Sequence, residues 1–339
     1  MKRSPEKQQE GAALIVALWV LVMLALLVSS ISYDMQVEAS VTSYYRQRFK
    51  AQHLSRAGVE WAKMFLVQSQ GMLSSLEDEM PELDLQLKIL RRGVAVRGYR
   101  HEMEDGFFEL DIVPESSRRN INLLVNEPDD LREIFDQANI TDIQQQNELI
   151  GALTDWIDED DFTSVNGAES DDPFYIERGY KVKNAPLDSI DELLLIKGFT
   201  ESVVFGGPAE VEGDPPYLGI ARWLTVWGDG RVNVNSATAE VLLTLPELDE
   251  WMVQAIIDGR AGLDGEFGTD DDGFTSVEEV IAITGADPSI ASKITVDDRR
   301  FVRVVSVGES NDVRSGTWVV FRQQGAELTP VFWREELMP

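Results

Sequence analysis

From Ala12 to Tyr33 the chain carries no charged residue, and the run is almost wholly apolar. As a helix rising ~1.5 Å per residue, such a run covers the ~30 Å hydrocarbon core of a membrane. That length dictates an anchor and leaves the remaining residues to fold beside it. Ahead of it stands a short charged leader with Lys2, Arg3, Glu6, Lys7 and Glu10. The small residues Gly11-Ala12-Ala13 precede the apolar run, whereas a secretory signal peptide has a shorter apolar region with its small-residue cleavage site behind it. Cleavage between Gly11 and Ala12 would remove only the leader and keep the span. By its residues alone the junction reads as such a leader or as an ordinary signal anchor with a glycine ahead of it. The basic leader predicts a cytoplasmic N-terminus, a single pass of the inner membrane and a periplasmic bulk, weakly opposed by Arg46, Arg48 and Lys50.

The helix is expected to continue past the membrane. No proline occurs from Tyr33 to Gln70, and Val37, Val41, Tyr44, Tyr45, Phe49, Leu54, Val59, Trp61, Met64 and Phe65 recur near helical spacing. One helix from Ala12 to about Gln70 would be on the order of 85 Å long. Gly71 and Pro81 then break the pattern. Period-two alternation follows at Leu83, Leu85, Leu87 and Ile89, which predicts a strand, with a hairpin turn at Arg91-Arg92-Gly93 and Val94 and Val96 beyond it. Phe108, Leu110 and Ile112 predict another strand. Phe301–Val307, Trp318–Phe321 and Val331–Trp333 read as further strands, with loops over residues 308–316 and near Gly325.

Between these strands the pattern turns helical over Leu131–Ala138, Ile143–Trp156, Ser189–Leu195, Ala237–Leu245, Glu250–Asp258 and Ser276–Ile283. Ser276, three residues before Glu279, has capping-box spacing. The expected class is α+β, with a long N-terminal helix, an antiparallel sheet and a large, mainly helical domain inserted between strands. The divisions are 1–11 leader, 12–33 membrane span, 34–70 periplasmic helix, 71–121 with 300–339 the sheet, and 122–299 the insertion.

A net charge of −30, near −31 without the leader's three basic and two acidic residues, argues against nucleic acid as a partner. It suits divalent cations or basic partners. With no cysteine, disulfides and thiolate metal sites are excluded. His53 and His101 are the only histidines, and no Gly-x-Ser-x-Gly or P-loop pattern is present.

Two acidic stretches suit hard-cation chemistry. Leu153-Thr154-Asp155-Trp156-Ile157-Asp158-Glu159-Asp160-Asp161 leads to Gly167-Ala168-Glu169 and to Asp171-Asp172-Pro173. Oxygen ligands at this density fit Ca²⁺, although the spacing is not that of an EF-hand, and a solvated acidic loop has the same composition. The second stretch, residues 262–274, alternates glycine with Asp264, Asp270 and Asp272, candidates for a second ion beside the reading of a flexible charged loop. A third motif, Val232-Asn233-Val234-Asn235-Ser236-Ala237, opens a unit similar to a helix-hairpin-helix. Its hairpin Pro246-Glu247-Leu248-Asp249-Glu250 is acidic where DNA binding needs basic residues or glycine, which leaves a packing module.

The leader resembles that of type IV pilins and type II secretion pseudopilins. That resemblance implies cleavage after Gly11 by a prepilin peptidase and methylation of Ala12. Most members have a glutamate at the fifth mature position, where this chain has Val16. The run Asp155-Trp156-Ile157-Asp158 with Gly167-Ala168-Glu169, Asn184-Ala185-Pro186 and Gly198-Phe199 is similar to the protein K family of type II secretion, whose members lack that glutamate. The resemblance implies a calcium-binding inserted domain, with Asp158, Asp160 and Glu169 as candidate ligands and Asp155 and Asp172 behind them. Ser170 stands where an acidic residue is frequent in the family. It further implies a non-enzymatic tip subunit of a pseudopilus, partnered by minor pseudopilins I and J and by the major pseudopilin shaft. The rival readings are a type IV pilus minor pilin or tip adhesin, and a membrane-anchored calcium-dependent periplasmic enzyme.

Overall fold

The computed structural model describes residues 6–69, 81–209, 215–269 and 271–338. The start of the leader, the break at Gly71 and the candidate ligand Asp270 lie outside the described residues. Helix α1 (Glu6–Ser69) runs unbroken through the apolar segment and on into the folded body. Among the described residues it is the one helix long and apolar enough to cross a membrane. Every described side chain from Ala13 to Arg46 is exposed, and burial begins where the helix meets the sheet.

Helix α2 (Pro81–Arg91) overturns the expected strand over Leu83–Ile89. Leu83, Leu87 and Leu90 also recur at helical spacing, and leucine, glutamine, lysine and glutamate are better helix formers than strand formers. Leu87, Ile89 and Leu90 are buried. The predicted hairpin at Arg91–Gly93 is instead the end of this helix. The sheet starts at β1 (Val96–Met103) and continues in β2 (Gly106–Pro114).

After β2 the chain leaves the sheet. Two short parallel pairs, β3 (Arg119–Asn120) with β4 (Leu224–Thr225) and β5 (Val232–Asn233) with β6 (Ile294–Thr295), tie together a helical body. That body contains α3 (Ile121–Leu124), α4 (Pro128–Gln137), α5 (Ile143–Ile157), α6 (Pro173–Arg178), α7 (Glu201–Phe205), α8 (Ala239–Leu243), α9 (Glu250–Gly259) and α10 (Val277–Thr284). Residues Ile190–Leu195 form a 3₁₀ helix rather than an α-helix. The chain returns in β7 (Phe301–Ser310), β8 (Val313–Gln324) and β9 (Glu327–Met338), giving the antiparallel order β1-β2-β7-β8-β9. The helical body is therefore an excursion between two hydrogen-bonded neighbours, with Pro114 opposite Val302.

The expected loop over residues 308–316 shrinks to Asn311-Asp312, both with positive φ (46° and 63°), a two-residue hairpin. Gly308 and Gly316 lie inside strands. A Cβ at Gly308 would sit 2.2 Å from the Ala51 carbonyl oxygen and 2.4 Å from the Ser55 amide, so α1 crosses β7 at backbone contact. At Gly58 on the helix an added Cβ would meet the side chains of Ser306 (Oγ, 2.1 Å) and Phe108 (2.9 Å), and Ser55 Oγ meets Thr317 Oγ1 at 2.8 Å. One apolar core lies under this crossing and includes Phe65, Leu66, Leu87, Phe108, Ile112, Val304 and Phe321. A second fills the helical body.

The two bodies are joined by polar contacts where the chain crosses over. Glu115, its side chain fully buried, accepts from Arg303 Nε of β7 (2.6 Å) and from Thr225 Oγ1 of β4 (2.5 Å). Asn233 Nδ2 donates to Gly93 O (2.9 Å), and Asn235 Nδ2 lies 2.8 Å from Arg92 O, fixing the helical body to the turn after α2. Arg303→Met leaves the buried Glu115 carboxylate with Arg118 at 4.0 Å as its remaining counter-charge and is expected to cost about 3 kcal/mol, the low end for a broken buried pair, read as a lowered Tm of the solubilised chain. Arg322→Met, a control on an exposed residue of β8, should change it little.

Candidate metal centre

Helix α5 brings the first acidic motif together. Its inward face, Leu149, Ala152, Leu153 and Trp156, is buried in the core of the helical body, which carries Asp155 inward in the last turn. Asp158 is the C-cap, where the chain leaves the helix in extended conformation. The loop then folds back over the helix: a Cβ at Gly151 would meet Val165 O and Gly167 N at 2.7 Å. A Cβ at Gly167 would stand 2.1 Å from Asp155 Oδ2, so only glycine fits over that carboxylate. Asn166 supports the turn with φ 64°. The far wall is Asn184 (φ 48°), whose Nδ2 donates to Asp160 O (2.9 Å) and Asp161 Oδ1 (3.1 Å). Trp156, Tyr175 and Tyr180 pack beside the site with ring centres 5.7–6.4 Å apart.

Among the described residues no three His, Asp or Glu side chains are placed together so as to hold a metal ion in this fold. What the loop holds is a set of uncommitted oxygens. Asp155 Oδ2, Asp158 Oδ1, Glu169 Oε1 and Asn184 Oδ1 are buried and accept no hydrogen bond. Their companions are used locally, Asp155 Oδ1 by Ser164 N (2.9 Å) and Glu169 Oε2 by Ser170 N (3.1 Å). Burial, then the charges of Asp160 and Asp155, raises the Asp158 pKa. Burial raises that of Glu169, opposed by the Ser170 amide and reinforced by Asp155, Asp158 and Asp161. Carboxylates that crowd one another out of water need a cation or protons. Buried carboxylate and amide oxygens are hard ligands, the type that divalent cations such as Ca²⁺ take.

Two other predicted ligands have different employment. Asp172 caps α6 through Phe174 N (2.8 Å) and pairs with Lys197 Nζ (2.7 Å). Burial raises its pKa, but the Lys197 and Phe174 contacts outweigh it, and the net shift is downward. Asp160 accepts from Phe162 N (2.8 Å) and is exposed. Sequence reasoning missed Asn184 as an oxygen donor, although it singled out Asn184-Ala185-Pro186 as a turn. A polar residue with two hydrogen-bonding ends, at a turn facing an acidic loop, was the available signal.

The second acidic loop closes on itself. Asp264 accepts from Glu266 N (2.8 Å), and Asp272 from Gly268 N (2.7 Å) and Thr269 Oγ1 (3.2 Å). Asn235 Oδ1 accepts from Phe274 N (2.8 Å), which anchors the loop's end beside the Val232–Asn235 motif. In the acidic hairpin between α8 and α9, Glu247 pairs with Lys293 at 2.9 Å. Gly11 and Ala12 lie within the first turns of α1.

Residues 117–205, the segment holding this site, match the family model described as "Type II secretion system (T2SS), protein K". No curated protein matches the chain at a significant level. A chain of "the GspK-GspI-GspJ complex from enterotoxigenic Escherichia coli Type 2 Secretion System" shares the fold with a TM-score of 0.60. The match is 14% identical and covers 88% of this chain and 99% of that one. The resemblance to protein K is thus borne out, by the family model over the acidic segment and by the fold over most of the chain.

Proposed function

We propose that this chain is the minor pseudopilin at the tip of a type II secretion pseudopilus, where it caps the filament and helps initiate its assembly. The carrying observation is the excursion between β2 and β7, which holds the protein K segment and sits as a large side body on a sheet borne by α1. Subunits stacked along a shaft need slender flanks, so a side body of this size suits the end position. Val16 supports the same position, because a subunit with nothing ahead of it needs no buried carboxylate to pair with a neighbour's amine. The partners on this reading are counterparts of GspI and GspJ and, below them, the major pseudopilin.

A prepilin peptidase cuts between Gly11 and Ala12 and methylates the new N-terminus, and α1 then anchors the chain in the inner membrane with its bulk in the periplasm. The role is structural rather than catalytic. Ca²⁺ is held by Asp155, Asp158, Glu169 and Asn184, with Asp160 at the rim. Bound there, the ion supplies positive charge to oxygens that otherwise repel one another.

Deleting the gene tests this reading. Secretion of the system's exported proteins should fall by at least tenfold and return on complementation, with the mature protein beginning at Ala12. Intact secretion with lost surface adhesion or twitching would mean a type IV pilus adhesin. Lost turnover of a periplasmic substrate with secretion intact would mean an enzyme.

A further inference from the structure

The oxygens assigned to the ion stand on two separate walls. Asp155 and Asp158 close the end of α5, with Trp156 between them in the chain, and Asn184 stands on the turn that faces them. The walls touch through Ala185 N, a long 3.4 Å from Trp156 O, and through Asn184 Nδ2 on Asp160 O at 2.9 Å. Helix ends fray and turns swing, so contacts this few hold the two walls together loosely.

A firmer tie runs through Glu192, in the 3₁₀ helix Ile190–Leu195. Its side chain is 12% exposed. Oε1 accepts from Trp156 Nε1 (3.2 Å) and lies 2.9 Å from Lys183 Nζ, the neighbour of Asn184. Oε2 accepts from Lys183 Nζ (3.0 Å) and from the Asp188 amide (2.9 Å). One carboxylate thus grips the indole of one wall and the lysine of the other. Both of its oxygens are taken by donors, whereas Asp155, Asp158, Glu169 and Asn184 each keep a buried oxygen open. Glu192 is therefore no ligand, and Lys183 balances its charge.

We propose that Glu192 is a positioning residue of the ion site, clamping Trp156 and Lys183 so that the wall of Asp155 and Asp158 and the wall of Asn184 face each other before an ion arrives. Side-chain movement alone then remains to complete the site, and the cost of ordering its backbone falls on folding rather than on binding. Partners standing behind a metal's ligands set affinity by roughly 10–100-fold. This assignment rests on the calcium reading of the site.

Calcium titration of the purified full-length chain in detergent, paired with its Tm in chelator, provides the test. Glu192→Ala should weaken Ca²⁺ binding by about tenfold or more. Asp191→Asn removes the same charge from the same 3₁₀ helix, but Asp191 faces Arg334 of β9 (3.8 Å), so affinity should stay within about twofold of wild type. Trp156→Phe keeps a ring and loses the Nε1 donor, and it should weaken binding by about threefold or more. Adding it to Glu192→Ala should cost less than about twofold further, because both changes cut one tie. Wild-type affinity in Glu192→Ala, with only the Tm in chelator lowered, would overturn the clamp and leave the calcium reading standing. Fully additive losses in the double variant would overturn it too. Unchanged affinity in Trp156→Phe would do so whether or not Glu192→Ala folds. A wild-type chain that binds no Ca²⁺ would remove the calcium reading and the clamp with it.

Discussion

Gly308→Ala is expected to unseat the N-terminal helix from its sheet. The added Cβ would stand 2.2 Å from the Ala51 carbonyl oxygen, and backbone cannot rotate away as a side chain can. The helix must lift along its whole crossing of β2, β7 and β8, loosening the packing of Ala62, Phe65 and Leu66. The cost should reach or exceed the ~3 kcal/mol at the upper end for overpacked cores, a Tm loss on the order of 5–10 °C. Gly316→Ala provides the contrast. There the new Cβ meets the Trp318 ring at 2.4 Å, on the other face of the sheet, and a side chain is able to shift. Thermal unfolding of the two purified variants in detergent checks the ranking. Equal losses would mean that the close crossing at Gly308 does not limit stability.

The second large effect concerns the ion. Chelating Ca²⁺ from the purified chain should lower its Tm, by several degrees if the ion had been present at ~100 times its Kd, where binding contributes ~2.7 kcal/mol. Asp155→Asn should abolish most of that response. It should also reverse the order of the two proteins: without Ca²⁺ the variant matches or exceeds the wild type, because a buried unpaired charge is gone. With Ca²⁺ the wild type is the more stable. A variant destabilised equally in both conditions would show that Asp155 acts only in packing.

The pH dependence has a definite sign. Asp158 and Glu169 have raised pKa values in the metal-free fold. Their protonated forms therefore favour that fold below the ordinary carboxylate range, and the contribution is lost as pH rises through the raised values. Calcium requires the deprotonated forms. The Ca²⁺-induced Tm gain should be largest at neutral pH and fade on acidification toward pH ~5.

Much of the fold is legible in the sequence. The apolar run and its proline-free continuation specify α1, and the period-two valines from Val302 onward specify β7, because each pattern matches the element's own repeat. The acidic motif was legible as a cluster since α5 ends within it. Two kinds of information were not local. Leu83 to Ile89 satisfies both periods over seven residues, and only packing against α1 decides for the helix. Gly308 and Gly316 read as loop punctuation, yet their meaning lies in what crosses over them, Ala51 and Trp318, far away or folded back in sequence. Asn184 belongs to the same class. Its oxygen matters because α5 and a turn nearly thirty residues later face each other, and the sequence shows each only separately.

The neighbouring placement of β2 and β7 also has a kinetic side. Phe108, Leu110 and Ile112 are complete long before Val302 and Val304 exist, since Pro114 and Val302 are 188 positions apart. At roughly 5–20 residues synthesised per second, β2 waits on the order of ten seconds or longer with one edge open. Pairing across so wide a sequence gap is slow unless something first draws the ends together. The helical body, with its own core and its Glu115–Thr225 contact near the exit, is placed to be that closing device. The sheet would then assemble last, and the order of folding would run from the side body inward to the spine.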